Sequence, residues 1–229
     1  MKKITLLFTL LFCSIGYTQN DSFKKPDFQE IKLKIKLKNS KFYYPKLIKK
    51  YYQSNSSLTL EEKRVLYYGF IYSPKYSPYG SREFTDKIST ILKNNYISEE
   101  DYEKIIEYSD KLLEENPFNV NAINYKLYAC KQLQNSSDTI KASIKLQIIN
   151  DAILSSGNGL TKENAYVVIN PNHEYSFINL LGFAYGGHIS PVEQYDYLSL
   201  KENEQNIDGL YFDTSASANY MSNLFKNKD

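Results

Sequence analysis

Apolar side chains recur every three or four positions through most of the first two thirds of the chain. Ile88, Ile91 and Leu92 form one such stripe, and Ile144 and Ile148 belong to another. This spacing places apolar groups on one face of an α-helix. The pattern predicts helices, in chain order, at Pro45 to Gln53, Leu60 to Tyr72, from Glu83 onward, Ser98 to Asn116, Val120 to Leu133 and Thr139 to Leu154.

Two of these helices begin with the pattern of a capping box, in which a hydroxyl and an acidic side chain three residues later each accept a backbone N–H. Thr59 and Glu62 form the first pair, and Ser98 and Asp101 form the second. The segment 28–37 is ambiguous, because its apolar residues alternate with lysines as in a strand and also fit a helical stripe. The preceding Pro-Asp pair suits a helix start, so we expect a helix there.

The pattern changes after a serine- and glycine-rich stretch at 155–159. Ala165 to Ile169 is rich in β-branched residues and predicts a strand. Gly186 and Gly187 predict a turn. The remaining predicted elements are, in chain order, a helix at 172–181, strands at 183–185, 195–200 and 210–212, and a closing helix at 215–225.

The predicted fold class is α+β, with a mainly helical N-terminal part followed by a small antiparallel α+β part. We place the helical part at 19–156 and the smaller part at 160–229, packed on it as one structural unit. Roughly 210 residues are enough to build a core without disulfide bonds. Gly157 to Gly159 is expected to form the turn between the two parts.

The first 18 residues have the layout of a secretory signal peptide. Lys2 and Lys3 precede an apolar run, and small residues follow at Gly16 and Thr18. The run is shorter than the roughly 20 residues that a permanent membrane span needs. We expect cleavage after Thr18, because Gly16 and Thr18 then occupy the −3 and −1 positions. A lipoprotein is not expected, because the bulky Phe12 before Cys13 does not suit a lipoprotein signal. The predicted location is the periplasm or the exterior of a Gram-negative bacterium, with no transmembrane anchor in the mature chain.

Charge and cysteine content then exclude several classes of function. The chain has 28 basic and 26 acidic residues, and removal of Lys2 and Lys3 leaves 26 of each. A nucleic-acid-binding protein usually carries a basic excess, so we expect no nucleic-acid partner. One cysteine, Cys130, remains, which excludes an internal disulfide and a zinc site built on cysteines. Cys130 lies on an apolar helical stripe and is expected to pack in the core.

The segment from Tyr72 to Arg82 is the best candidate for recognition. Its prolines and glycine predict a loop of limited flexibility. Tyr72, Tyr76 and Tyr79 offer aromatic faces, and Arg82 adds charge, so we predict these four residues to bind the ligand. The alternative is that the tyrosines pack back on the helices and fix a long connection.

Catalytic candidates are few because histidine occurs only at His173 and His188. A hydrolase would have to use one of them as a base, with a carboxylate such as Glu174 or Asp196 nearby. These four residues are the weak catalytic candidates. Each histidine also has a simpler interpretation, as a helix-start or turn residue. We expect no metal site and no cofactor.

Two resemblances to known families add context. Asn116-Pro117-Phe118-Asn119 resembles the joint between two tetratricopeptide-type helical hairpins, over about one repeat length. A wider resemblance, over nearly the whole chain after the leader, is to exported Bacteroidota proteins catalogued as domain of unknown function 4919. It is carried by these motifs: Tyr43-Tyr44-Pro45-Lys46-Leu47, Leu58-Thr59-Leu60-Glu61-Glu62, Leu66-Tyr67-Tyr68-Gly69-Phe70, Ser77-Pro78-Tyr79-Gly80, Glu115-Asn116-Pro117, the segment 151–157 and Gly209-Leu210-Tyr211-Phe212. The resemblance implies export and an envelope setting, and no activity.

The function that we predict from these observations is that of an exported binding or adaptor protein without catalytic chemistry. Its partner is expected to be another envelope protein, a peptide or a glycan. Two alternatives are an envelope hydrolase using His173 or His188, and a structural component of an envelope or secretion assembly.

Overall fold

The computed structural model describes residues 23–80 and 82–226, and the predicted signal peptide lies outside them. Within that part of the chain the helices are α1 (Phe28–Lys34), α2 (Tyr44–Tyr52), α3 (Leu60–Gly69), α4 (Glu83–Leu92), α5 (Glu99–Glu115), α6 (Val120–Gln132), α7 (Ser136–Leu154), α8 (Asn172–Leu180) and α9 (Ser215–Lys226). A short 3-10 turn, Phe70–Tyr72, continues α3. The strands are β1 (Tyr166–Val167), β2 (Tyr185–Val192), β3 (Tyr195–Leu200) and β4 (Gly209–Asp213).

The local start signals of the helices are confirmed. The Thr59 hydroxyl accepts from the N–H of Glu62, whose carboxylate accepts the N–H of Thr59, and Ser98 and Asp101 repeat the arrangement. The ambiguous segment near residue 30 is a helix, because the Asp27 side chain accepts from the backbone of its first turn. Its buried residue is Ile31, on the helical stripe.

The four strands form one mixed sheet in the order β1-β4-β3-β2. The predicted α+β class is confirmed, but the prediction of an antiparallel C-terminal part is wrong in one respect, because β1 pairs with β4 in parallel. Tyr166 lies opposite Phe212 in that pair. A strand from before α8 therefore completes the sheet beside the last strand.

The predicted turn at Gly186–Gly187 is also wrong, because both glycines lie within β2. The β2–β3 hairpin turns at Glu193 and Gln194, where Glu193 has a φ of 62°. Gly186 is needed in the strand, since a Cβ there would meet the Ser199 hydroxyl at 2.7 Å and a backbone carbonyl at 2.9 Å.

One large hydrophobic cluster contains buried residues from the helices and from the sheet. Tyr51 and Tyr67 from α2 and α3 belong to it, and so do Ile169 and Phe212 from the C-terminal part. A smaller cluster lies among α4, α5 and α6. The predicted boundary between the two parts stays a prediction, although the segment after α7 does turn there. Gly157 lies so close to the carbonyl oxygen of Asn164 that a Cβ would be 2.2 Å from it.

Helix α8 covers one face of the sheet. Asp196 and Leu198 of β3 point to that face, since Asp196 pairs with Phe212 and the Phe212 ring contacts Phe177 of α8. Across residues 23–80 and 82–226, no helix combines the length and apolar character that are needed to cross a membrane.

Candidate functional site

The predicted recognition loop connects the 3-10 turn to α4, and its first two tyrosines are packed against the protein. The Tyr72 hydroxyl donates to the carbonyl of Phe28 at 2.7 Å. The Tyr76 hydroxyl donates to the carbonyl of Ile169 at 2.8 Å, and burial raises the pKa of Tyr76 to about 12. Only 6 % of Tyr76 is exposed. These two side chains hold the loop on the core, as the simpler interpretation expected.

The later part of the loop is open to solvent. Tyr79 is 56 % exposed and Arg82 is also exposed. Both line a pocket of about 720 Å³, which we call the loop pocket. Its walls are the loop, the first turn of α4, the α5–α6 connection and the residues that lead into α8. This volume lies within the range of small-molecule sites.

The rim of the loop pocket is fixed by a buried asparagine. Asn170 is 7 % exposed, and its amide nitrogen donates to the carbonyl of Pro78 at 3.1 Å. Its side-chain oxygen accepts the backbone N–H of Asn172 at 2.9 Å. Both ends of this amide are therefore used to join the loop to the start of α8.

Three further asparagines in the pocket wall use only their oxygens. Asn116 accepts from the N–H of Phe118 and Asn119 from the N–H of Ala122, each at 3.0 Å, and Asn121 accepts from a serine hydroxyl at 3.1 Å. Throughout the described part of the chain, no group accepts a hydrogen bond from their amide nitrogens. None of these nitrogens is a buried unpaired atom, so solvent reaches them. The α5–α6 connection thus offers fixed donors to a ligand.

The charges of the loop pocket balance. Lys75 and Arg82 are its cations, and Asp86 and Glu115 are its anions. Lys75 donates to a backbone carbonyl at 3.1 Å. Arg82, Asp86 and Glu115 form no ion pair with any residue in the ranges 23–80 and 82–226. The pocket is lined mainly by polar residues and is formally neutral.

A second groove, of about 460 Å³, is lined by residues of α1, of α9 and of the start of the loop. Phe28, Tyr72, Tyr76 and Tyr220 contribute aromatic surface to it. The four predicted binding residues are consequently divided between two sites. Tyr72 and Tyr76 line the second groove, whereas Tyr79 and Arg82 line the loop pocket.

His173 lies in the first turn of α8 and is fully engaged in the core. Its Nε2 is 2.9 Å from the carbonyl oxygen of Phe118, which can only accept, so Nε2 carries the proton. Nδ1 is then the acceptor for the Tyr67 hydroxyl at 2.7 Å. The N–H of Ile169 donates to the same hydroxyl at 3.3 Å. No ring nitrogen of His173 remains for a substrate.

The electrostatics of His173 agree with this assignment. Burial lowers the pKa of His173 to about 4, although the bond to the Phe118 carbonyl acts in the opposite direction. The side chain is 2 % exposed and is neutral at physiological pH. It serves as a link between α3 and α8.

Glu174 and Asp196 are brought together between α8 and β3. Burial, followed by the negative charge of Asp196 and a hydrogen bond between the two side chains, raises the pKa of Glu174 to about 9. Glu174 is 1 % exposed, and one of its oxygens, Oε1, is buried without a partner. The pair therefore holds a proton at neutral pH, as carboxyl groups in contact do.

His188 lies on the other face of the sheet. Its Nε2 is 2.9 Å from the Ser190 hydroxyl, and His188 itself is exposed on β2. Asp196 pairs with Pro191, and Ser190 precedes Pro191 in the strand, so Ser190 projects to the opposite face from Asp196. His188 contacts the Ser190 hydroxyl and lies on that same opposite face. Of the four catalytic candidates, only Glu174 and Asp196 are in contact.

Sequence reasoning missed the asparagines of the loop pocket. A signal was present, since asparagine recurs at 116, 119 and 121 and again at 170 and 172. Asparagine is common at helix starts and turns because its side-chain oxygen accepts a backbone N–H. That role does not involve the side-chain nitrogen, so nothing in the sequence indicated the nitrogen as a ligand donor. Among the described residues, no group of three histidine, cysteine or acidic side chains is placed to hold a metal ion.

The model of a family described as Domain of unknown function (DUF4919) matches residues 29–222, which is most of the chain. No curated protein and no solved structure matches the chain.

Proposed function

We propose a binding function for this chain, which belongs to the family described as Domain of unknown function (DUF4919). In this proposal it is an exported binding or adaptor protein whose ligand occupies the loop pocket. The observation that carries the proposal is a set of polar groups around a fixed rim that have no hydrogen-bond acceptor among the described residues. They are the Arg82 guanidinium and three asparagine amide nitrogens, beside the exposed Tyr79 ring. Polar groups held in place by the fold are how binding sites orient a ligand.

Export is supported by the N-terminal sequence. Lys2 and Lys3 precede an apolar run from Ile4 to Ile15, and small residues follow at Gly16 and Thr18, as in secretory signals. The remaining single cysteine, Cys130, is buried and free, so the chain needs no oxidative step to fold. We place the protein in the periplasm or outside the cell of a Gram-negative bacterium, in the Bacteroidota by the resemblance of its motifs. The helices before α8 would act as tetratricopeptide-like hairpins that present the loop pocket.

An enzymatic role has less support in the geometry. His173 has no free ring nitrogen, and His188 lies across the sheet from the carboxylate pair. Neither histidine lines the loop pocket. The groups that do line it suit binding better than proton transfer by an imidazole.

Recovery of partners from the native host tests this proposal. A C-terminally tagged chain is purified alongside its Tyr79→Ala variant, and the retained proteins, peptides and glycans are identified by mass spectrometry. Tyr96→Ala is the matched control, because Tyr96 is 80 % exposed and lies outside the loop pocket. We expect a ligand or partner that the parent and the control retain and the Tyr79 variant loses.

The variant should also stay folded. Removing an exposed side chain usually changes stability by less than about 0.5 kcal/mol, so the melting temperatures of the three proteins should agree. Equal retention by all three proteins would place the partner surface elsewhere. Recovery of the same large complex with every variant would instead favour a structural component of an envelope assembly.

A further inference from the structure

We infer that the ligand of the loop pocket is a neutral oligosaccharide. This inference rests on the proposed binding function and names its ligand class. It follows from the balance of donors and acceptors in the pocket, from how rigidly they are held and from the single aromatic ring that the described residues place at the rim.

A sugar hydroxyl donates one hydrogen bond and accepts others, so a saccharide site needs both kinds of partner. The loop pocket supplies donors from Asn116, Asn119, Asn121 and Arg82. Carboxylate acceptors come from the two acidic residues of the wall, which form no ion pair with other described residues. Because two cations face two anions, the pocket has no formal charge to attract a charged ligand.

The asparagine donors are held before any ligand arrives. Asn119 is the N-cap of α6, and its oxygen is fixed by the N–H of Ala122 at 3.0 Å. Asn116 is fixed in the same way two residues before Phe118. The orientation of each amide nitrogen is set by the bond that its oxygen makes. Ligand binding therefore has to order few side chains, and this lowers the conformational-entropy cost of binding a polar ligand.

The aromatic content distinguishes a saccharide from a peptide. The ring of Tyr79, 56 % exposed, can stack against the C–H face of a pyranose. Peptides usually bind by adding a strand to a sheet edge or by docking in an apolar or aromatic groove. Among the described residues, the wall of the loop pocket includes no strand, and its one large aliphatic residue, Leu112, is buried. The polar lining favours the saccharide.

The test is binding of the tagged chain, purified from its native host, to an array of neutral oligosaccharides, their uronic-acid and sulfated counterparts, and peptides. The decisive variant is Asn119→Asp. Aspartate caps a helix as well as asparagine does, so the bond to Ala122 is kept while the amide donor is removed. Asn119→Ser also keeps a cap without adding a charge.

Asn158→Asp is the matched control. The Asn158 oxygen accepts the N–H of Leu160 at 3.1 Å, and the residue lies outside the loop pocket. We expect one or more neutral oligosaccharides to bind the parent and the control equally. Affinity for the same probe, measured by titration calorimetry, should fall at least about tenfold in both Asn119 variants.

Three results would overturn the inference: binding of peptides or charged glycans only, binding of no probe, or unchanged affinity in the Asn119 variants. The outcome for the proposed function is separate. If the Tyr79→Ala variant still loses its native partner while no saccharide binds the array, the binding function stands and only the ligand class is wrong. If partner recovery is also independent of Tyr79, both are wrong.

Discussion

The carboxyl pair between α8 and β3 makes the stability of this protein depend on pH in a direction opposite to that of ordinary salt bridges. The pKa of Glu174 is about 9 in the folded chain, against 4.5 for an ordinary glutamate. The pKa is raised, so folding takes up a proton once the pH is above the unfolded value. The contribution of Glu174 to the free energy of unfolding is therefore fully present below pH 4.5 and is lost as the pH rises towards 9.

The magnitude follows from the linkage relation. One proton taken up on folding changes the free energy of unfolding by about 1.4 kcal/mol per pH unit. His173 works in the opposite direction below pH 6.5, because its pKa is lowered to about 4 and the unfolded chain binds the proton first. The two effects cancel between about pH 4.5 and 6.5. Above that window the effect of Glu174 is the larger one, and from about pH 6.5 to 8.5 it should remove about 3 kcal/mol.

The perturbation that isolates this effect is Glu174→Gln. Glutamine keeps an N–H donor for Asp196 and has no proton to lose. We expect urea unfolding, followed by circular dichroism at about pH 6.5, 7.5 and 8.5, to give a falling free energy for the parent and a smaller slope for the variant. The difference between the two proteins should shift by about 3 kcal/mol in favour of the variant across this range. A constant repacking cost cancels in that difference.

A matched control is Glu103→Gln, which changes an exposed glutamate on α5. It should leave the slope of the parent unchanged. The reasoning would be refuted if Glu174→Gln and the parent lost stability in parallel from about pH 6.5 to 8.5. That result would mean that Glu174 is already ionised in the folded chain.

Two further predictions concern positions where the structure leaves little room for change. Tyr67→Phe removes the hydroxyl that hydrogen-bonds His173 and a backbone N–H, so we expect the free energy of unfolding in urea to fall by about 1–3 kcal/mol. Tyr96→Phe is the exposed control. A loss below about 0.5 kcal/mol would contradict the buried network. Gly157→Ala places a Cβ 2.2 Å from a carbonyl oxygen and should sharply reduce the melting temperature or the soluble yield, whereas Gly80→Ala, which meets nothing within 4 Å, should not; equal behaviour of the two alanine variants would show that the turn at 157 relaxes freely.

The helix starts of this fold were predictable because they are decided within four residues. Thr59 and Glu62 satisfy each other's backbone groups wherever the helix later packs. Ser98 and Asp101 do the same. Both hydrogen-bonding partners of a capping box lie within the motif, so the helix start can be predicted without knowledge of the rest of the chain.

The sheet was less predictable because its partners lie far apart along the chain. Gly186 and Gly187 suggested a turn, but the close approach of β3 requires glycine inside the strand instead. The parallel pairing of β1 with β4 joins residues more than 40 positions apart. Local turn chemistry cannot separate these cases, since glycine serves a tight turn and a close contact equally well.

The burial of the loop tyrosines also depends on partners that lie far away along the chain. Tyr76 is held by the carbonyl of Ile169, 93 positions away, while Tyr79 has no such partner among the described residues and stays exposed. Proline and glycine predicted the loop, but only the fold determines which hydroxyl finds an acceptor. Tyr72 and Tyr76 therefore line a different groove from Tyr79, and the prediction that these residues bind a ligand stays a prediction.

The asparagines of the loop pocket point to a better use of sequence. A helix cap or an Asx turn uses the oxygen of an asparagine side chain and does not itself require the nitrogen. Where asparagines recur at such positions, as at Asn116 and Asn119, each one supplies a donor whose direction the backbone already fixes. Aspartate or serine would cap equally well without that donor. Such asparagines become candidate ligand donors where the fold brings several of them to one pocket, as it does with Asn116, Asn119 and Asn121.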